Sequence, residues 1–258
     1  MPPGSKGVDF VDLTVRAVVC GLGAATMLWA VYTAPVFWQA APFEKTAKYI
    51  IAGENIKPAV VGAFVERLGG IESGENARPS ILSNVAIIRL RLLERAIFNG
   101  DQKTIDKESR RLQVTTVNAL SNNPADSFLW VVLFWVENTR NGFSRDHIDY
   151  LRMSYLTGPD EGWIGVKRNR LALSVFPQLP SDVANEAVAE FAHLIDSQFI
   201  PEMADILVGP GWPIRGTLLA GLNAVELVNR ERFAKTVYRL GYDITVPGVK
   251  RRGQRPWD

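Results

Sequence analysis

The residues whose types could do chemistry together stand at positions 158–163, with the sequence GPDEGW. Asp160 and Glu161 are paired carboxylates beside an aromatic ring, a combination that could serve a sugar site. Adjacent residues of a helix point in different directions, however, so the two carboxylates are poorly placed for joint acid–base work. A proline in the first turn, with acidic residues at the positive end of the dipole, is also typical of a helix N-terminus. We therefore interpret the cluster as a helix start.

The two histidines belong to no metal-ligand pattern. His147 follows an Arg-Asp pair, and His193 lies in an amphipathic stretch. Neither has a second histidine or a cysteine at metal-ligand spacing. We interpret both as ordinary surface or core residues, and the sequence predicts no metal site.

The remaining catalytic motifs are missing from the sequence. The single cysteine, Cys20, allows no intramolecular disulfide and no cysteine metal cluster, and Val19 before it argues against lipid attachment. No serine lies in a Gly-x-Ser-x-Gly turn, and no Gly-Lys-Ser/Thr phosphate loop is present. Gly21 and Gly23 lie in an apolar run with no strand before it, which excludes a dinucleotide loop. We therefore predict no catalytic residue, no cofactor and no enzymatic activity.

Charge is balanced over the chain as a whole. The 29 basic and 27 acidic residues give a net charge of +2. A nucleic-acid binder needs a concentrated basic face to displace counterions, so we predict no nucleic-acid partner. Residues 246–258 carry the one local excess, which we interpret as a flexible basic tail: Lys250, Arg251, Arg252 and Arg255.

An uncharged run at residues 17–38 has the length of a transmembrane helix. Its 22 residues follow Arg16, and a helix of that length can cross a hydrocarbon core of about 30 Å. We expect Pro35 to mark the last turn or a kink. Amphipathic rings, which favour the membrane–water boundary, crowd the second half of the run: Trp29, Tyr32, Phe37 and Trp38. We predict that residues 17–38 span a lipid bilayer.

Two other interpretations of this run stay open. A cleaved signal peptide needs small residues at the −3 and −1 positions, and cuts after Ala34 or Ala41 place Tyr32 or Gln39 at −3. A buried core helix is the second alternative. Basic residues flank both ends of the run, so the positive-inside rule gives no direction. By analogy with ordinary signal anchors we expect a cytoplasmic N-terminus and a periplasmic C-terminal domain.

The run also carries small residues at regular spacing. Ala17, Gly21 and Ala25 form a row that could pack against another helix, including that of a second copy. The anchor could alternatively bind a larger membrane complex, in which case it would do more than tether the chain.

Behind the anchor the apolar spacing is helical almost throughout. Residues 1–16 form a short N-terminal segment, residues 39–79 a membrane-proximal helical linker, and residues 80–245 the folded domain. Residues 128–136 (FLWVVLFWV) are apolar on every side and too few to cross a bilayer, so they predict a central helix packed on both faces. We expect an all-α fold, with the anchor followed by an α-solenoid-like array of helical hairpins.

One hairpin has the length of a known repeat. Pro124 and Pro159 are 35 positions apart, close to the tetratricopeptide period of about 34 residues. Residues 80–200 resemble degenerate tetratricopeptide-like repeats of the bacterial envelope type. The resemblance implies a curved stack of helix pairs that offers a groove to a peptide or protein. The residues that carry it are Pro124, Trp130, Leu133, Gly142, Tyr155 and Pro159.

These patterns together predict a membrane-anchored scaffold. It would hold a protein partner at the bacterial inner membrane, in envelope or polysaccharide assembly as the resemblance implies. An envelope enzyme that acts on glycans, with a site assembled only in three dimensions, is the alternative. A deep pocket with a carboxylate pair of shifted pKa would favour that enzyme. The residues predicted to contact the partner are Trp163, Arg168, Arg170 and Trp212.

Overall fold

The computed structural model describes residues 6–51 and 79–250. The chain forms two compact units, Met1–Glu66 and Arg67–Asp258. Every regular element in the described residues is a helix, and those residues contain no strand. This confirms the predicted all-α class. Most of the predicted linker (52–78) and of the basic tail (251–258) lies outside the described residues.

The described part of the first unit is one long helix, α1 (Lys6–Ile51), of 46 residues. Within it Leu13–Ala34 is long and apolar enough to cross a membrane, with a mean hydropathy of 1.6 over 22 residues, and none of it is buried. A core helix would be mostly covered, so this exposure disagrees with the core-helix alternative. The apolar span begins four residues earlier than predicted.

Pro35 does not end this helix, and the expectation of a last turn there is wrong. The helix continues through Pro35 and Pro42 to Ile51. A proline removes one backbone hydrogen bond, but the residues on both sides can still continue the helical ladder. In the predicted small-residue row, the Cα of Gly21 faces open space, with no atom within 4 Å of where a Cβ would stand.

The second unit contains nine α-helices among its described residues, joined by short turns. Consecutive helices pack side by side as α2 with α3, α4 with α5, and α6 with α7. Short 3-10 turns lie at Arg145–His147, Phe176–Gln178, Trp212–Ile214 and Leu222–Ala224. The helices are α2 (Pro79–Asn99), α3 (Gln102–Asn122), α4 (Ser127–Asn141), α5 (Ile148–Thr157), α6 (Gly162–Ser174), α7 (Ser181–Asp196), α8 (Ile200–Val208), α9 (Arg215–Gly221) and α10 (Leu227–Arg239).

Helix α4 is the central helix that its all-round apolar sequence predicts. It packs against α2, α3, α5 and α6. Asp126 caps it, with the Leu129 amide donating to the carboxylate at 3.2 Å. Seven of the nine apolar side chains at 128–136 are buried, including Phe128, Leu129, Phe134 and Val136, and the other two, Trp130 and Trp135, are half-buried. Burial on all faces explains why no polar stripe is present in this helix.

The C-terminal helices fold back onto earlier ones. Helix α10 packs on α8 and α7, and α9 packs on α7. The rings of Phe191 in α7 and Phe233 in α10 meet edge to face at 5.9 Å. Gly241 follows α10 with a φ of +95°, and the Tyr242 amide donates to the Val237 carbonyl at 3.2 Å. A glycine in the left-handed region just past the last helical residue is a common way for a helix to end.

Candidate functional site

The carboxylates of residues 158–163 lie at the start of α6. Asp160 and Glu161 are exposed, and Glu161 is the residue before the first residue of the helix. Its carbonyl accepts hydrogen bonds from the amides of Ile164 and Gly165, at 2.9 and 2.8 Å. The cluster therefore begins a helix, as interpreted, but Pro159 lies in the preceding turn and not in the first helical turn.

Arg168 is buried, which corrects its prediction as a partner contact. None of its surface is exposed. It lies on the face of α6 that meets α5 and α7, and its countercharge is Glu190 of α7. Because that partner is 22 residues away in sequence, the local charge pattern around Arg168 contained no sign of the pairing.

The Arg168 guanidinium uses its donors inside the domain. Its Nε donates to Glu190 Oε1 at 2.9 Å. Its Nη1 donates to the carbonyls of Ser154 and Gly158 at 2.7 and 3.1 Å. The guanidinium carbon also lies 4.2 Å from the centre of the Tyr155 ring. One arginine thus holds the end of α5 and the turn before α6 against α7.

Glu190 completes this buried group, which we call the Arg168 cluster: Arg168, Glu190, Tyr155, Asn169 and Ser154. The Tyr155 hydroxyl donates to Glu190 at 3.1 Å, and the Asn169 amide donates at 3.4 Å. Burial raises the pKa of the Glu190 carboxyl, because desolvation outweighs the opposing Arg168 charge and these donors. Burial, followed by the Glu190 charge, also raises the pKa of Tyr155. The cluster is almost fully shielded from solvent, and its ion pair and hydrogen bonds hold α5, α6 and α7 together.

The two tryptophans predicted as contacts are half-buried. The Trp163 ring lies 4.9 Å from that of Phe128. The Trp212 ring lies 4.9 Å from that of Tyr242, with the Arg215 guanidinium 4.6 Å above it. Each ring therefore has packing neighbours. Arg170, two residues after Arg168, is exposed.

The histidines sit at different places on the domain. His147 Nδ1 lies 3.0 Å from Asn138 Oδ1, and its ring stacks on Tyr150 at 5.9 Å. His193 is exposed on α7. Within residues 6–51 and 79–250, no three His, Cys, Asp or Glu residues lie close enough to hold a metal ion.

An open groove runs along α10, and sequence reasoning did not find it. Its volume is about 670 Å³, and its second wall is the chain segment at residues 242–250. We call it the α10 groove. The apolar and aromatic side chains that line it are Leu227, Val228, Ala234, Tyr238, Tyr242, Ile244, Val246 and Val249, and the charged ones are Glu231, Arg232, Lys235, Asp243 and Lys250.

The second wall of the groove is held firmly against the domain. Val246 is 2% exposed and belongs to the core. Arg230 of α10 donates to the Pro247 carbonyl at 2.6 Å. At Gly248 φ is +74°, and a Cβ there would stand 3.0 Å from Arg230 Nη1. A glycine is therefore needed where the segment passes over this arginine.

The apolar part of the groove is open to solvent. Leu227 and Val228 are each 47% exposed, and Tyr242 is 36% exposed. On α10 the core stripe runs through Asn229, Phe233 and Val237, so Leu227 and Val228 lie off that stripe. Two adjacent apolar residues outside the core-facing period were the one sequence signal that could have indicated this surface.

Comparison with protein-family models, with curated proteins and with solved structures finds no match to this chain. Function therefore has to be argued from the helix that could cross a membrane and from the surfaces of the helical domain.

Proposed function

We propose that this protein is a membrane-tethered interaction protein, whose helical domain holds a protein partner at the bacterial inner membrane. The observation that carries the proposal is the exposed apolar span of α1. A 22-residue stretch with no buried part and a mean hydropathy of 1.6 is costly to leave in water. A bilayer removes that cost, since the helix satisfies its own backbone and 22 residues reach across the hydrocarbon.

The helical domain supplies the interaction part of the proposal. Its helices pack as neighbouring pairs, and such an array stacked as an α-solenoid offers extended surfaces to a peptide or protein. Arg170 and the half-buried Trp163 and Trp212 remain contact candidates at its surface. Arg168 is not among the partner contacts, because its guanidinium donates its hydrogen bonds to Glu190 and to backbone carbonyls inside the domain. Envelope or polysaccharide assembly is the setting that the tetratricopeptide-like resemblance suggests.

We infer that the N-terminus is cytoplasmic and that the helical domain is periplasmic. The helical domain follows the apolar span in sequence, as the translocated domain does in ordinary signal anchors. The span then acts as an uncleaved anchor. Its small residues Ala17, Gly21 and Ala25 could bring two copies together, as the packing of small-residue rows allows.

Membrane extraction combined with two reporter fusions tests this proposal. The full chain is fused at its C-terminus either to a phosphatase that is active only in the periplasm or to a protein that is fluorescent only in the cytosol. We expect the phosphatase fusion to be active, the fluorescent fusion to be dark, and the chain to stay in membranes washed with alkaline carbonate. Release by carbonate, or N-terminal processing to a shorter chain, would contradict an uncleaved membrane anchor. A fluorescent fusion without phosphatase activity would reverse the orientation.

A further inference from the structure

We propose that the α10 groove binds a short, extended segment of a partner protein in which apolar side chains alternate with Asp or Glu. The inference rests on the proposed function, because it names the chemistry of the partner that the domain would hold. Its basis is the juxtaposition, along α10 and the segment 242–250, of open apolar surface and of basic side chains that form no ion pair with any described residue.

The shape of the groove favours a peptide. Its α10 wall runs from Leu227 to Tyr238, a length of about 16 Å, which about five extended residues would cover. A volume of about 670 Å³ lies within the range of about 300–1,000 Å³ found for binding pockets. The opposite wall is fastened by Val246 and by the hydrogen bond from Arg230, so little ordering of the groove is needed when a peptide enters.

The apolar surface of the groove supplies the anchor points for such a segment. Leu227 and Val228 lie about half exposed at the N-terminal end of α10, and Tyr242 lines the groove near the other end of the helix, where its amide donates to Val237. Alternate side chains of an extended peptide point to the same side. Apolar residues at alternate positions would therefore enter the groove, where they remove both their own surface and that of these three residues from water.

The charges at the rim select the other side chains of the segment. Arg232, Lys235 and Lys250 are exposed and form no ion pair within the described residues. The lining also includes two carboxylates, Glu231 and Asp243. Three basic and two acidic side chains give the lining a small excess of positive charge, which favours an acidic segment over a basic one.

An anionic membrane surface would satisfy the same cations, but it matches the shape less well. A bilayer surface presents headgroups over a broad face, and it would leave the concavity between α10 and residues 242–250 unfilled. Peptide side chains can enter that concavity and contact both walls. The partner segment is therefore the occupant that accounts for the exposed apolar side chains of the groove as well as for its basic ones.

Fluorescence anisotropy with designed peptides tests the proposal on the full chain in detergent micelles. The probes are labelled peptides of sequence GSELELEGS, GSKLKLKGS and GSESESEGS, which separate the two requirements of acidic charge and apolar side chains. We expect the first probe to bind at least about ten-fold more tightly than the other two, and raised salt to weaken it.

A charge-swap variant makes the test specific to this site. In Arg232→Glu/Lys235→Glu we expect the preference to reverse, so that the acidic probe loses about ten-fold in affinity and the basic probe gains. The matched control is Lys107→Glu/Arg110→Glu on α3, where two exposed basic residues have the same three-residue spacing. That variant should bind like the wild type.

Three results would overturn the inference. They are equal binding of the acidic and basic probes, an unchanged preference in Arg232→Glu/Lys235→Glu, and an equal loss in the α3 control. A fourth result would replace the peptide by a membrane surface as the occupant. In that result, the nanodisc-embedded chain floats with vesicles of equal parts phosphatidylglycerol and phosphatidylcholine but does not bind the acidic probe. The flotation would also have to depend on Arg232 and Lys235. Failure here is distinguishable from failure of the proposed function, because carbonate extraction and the reporter fusions do not depend on the groove.

Discussion

At the scale of single residues, Arg168–Glu190 is one of two buried ion pairs in the described residues, the other being Arg89–Glu108. Arg168 has no exposed surface and Glu190 is 8% exposed, and taking two such charges out of water is costly unless the pair and its remaining hydrogen bonds are complete. The Arg168 cluster meets that condition through Tyr155, Ser154 and the Gly158 carbonyl. Removing one charge of the pair should therefore lower the free energy of unfolding more than removing both charges together.

We predict that Arg168→Met lowers the free energy of unfolding by about 3–5 kcal/mol, because Glu190 is left buried without its countercharge. The double variant Arg168→Met/Glu190→Leu should recover a large part of this loss. Urea unfolding of the full chain in detergent, followed by tryptophan fluorescence, measures both. Arg170→Met, an exposed change two residues away, is the control and should stay within about 0.5 kcal/mol of the wild type. Equal losses at positions 168 and 170 would contradict the role given to the buried pair.

The raised pKa of Glu190 predicts a pH dependence of stability. The native carboxyl binds its proton more tightly than the unfolded chain does, whose glutamate pKa is about 4.5. Unfolding therefore releases a proton between that value and the raised native pKa, so rising pH through this interval favours the unfolded state. We expect the unfolding free energy of the wild type, measured relative to Glu190→Gln, to increase as the pH falls toward about 4.5 and then to level off. A relative stability that grows with pH would show the opposite pKa shift.

At the scale of helices and turns, the close approach of α4 to the α5–α6 turn depends on one glycine. A Cβ at Gly158 would stand 2.3 Å from Ser127 Oγ and 2.6 Å from its Cβ, closer than packed atoms come. The Gly158 carbonyl also accepts from Arg168. A side chain here would move the turn away from both partners.

We predict that Gly158→Ala destabilises the domain by about 1–3 kcal/mol, the usual cost of overpacking. The matched control is Gly216→Ala in α9, where nothing lies within 4 Å of the new Cβ. Alanine favours a helix more than glycine does, so this control should keep or raise the stability. Thermal unfolding followed by circular dichroism compares the two variants. Equal melting temperatures would contradict the close packing at Gly158.

The elements themselves were largely predictable, because their signals are local. The apolar run of α4 and the helix start after Glu161 each depend on residues within a few positions of one another. The last turn expected at Pro35 was the exception. The missing amide of this proline costs one hydrogen bond, but the sequence alone does not show whether the flanking turns continue, and here they do.

At the scale of the whole molecule, the proposed tether depends on an apolar span without charges at its centre. Leu22 and Met27 lie within that span and are 63% and 74% exposed. Arginines at these positions make insertion of the helix into hydrocarbon less favourable, because each charge at the centre of a bilayer costs about 2.5–3.5 kcal/mol on insertion scales.

We predict that Leu22→Arg/Met27→Arg moves the chain from the membrane fraction to the soluble fraction or to degradation. Fractionation with quantitative immunoblotting measures this. Val114→Arg/Val117→Arg on α3 is the control, since these two residues are also exposed and apolar but belong to the helical domain. The control should stay in the membrane fraction. If the span variant stays in the membrane fraction at the wild-type level, the apolar span is not what holds the chain there.

The sequence by itself determined that this protein is helical, that one helix begins after residues 158–161, and that one N-terminal stretch is apolar enough to cross a membrane. Those properties follow from periods of three to four residues, from caps and from local hydropathy. Only the tertiary structure decided that Arg168 is buried and that α10 borders an open groove. The first depends on Glu190 in another helix, and the second on residues 242–250 packing beside α10. Contacts between segments far apart in the chain leave no local periodicity, and therefore they emerge only when the helices pack.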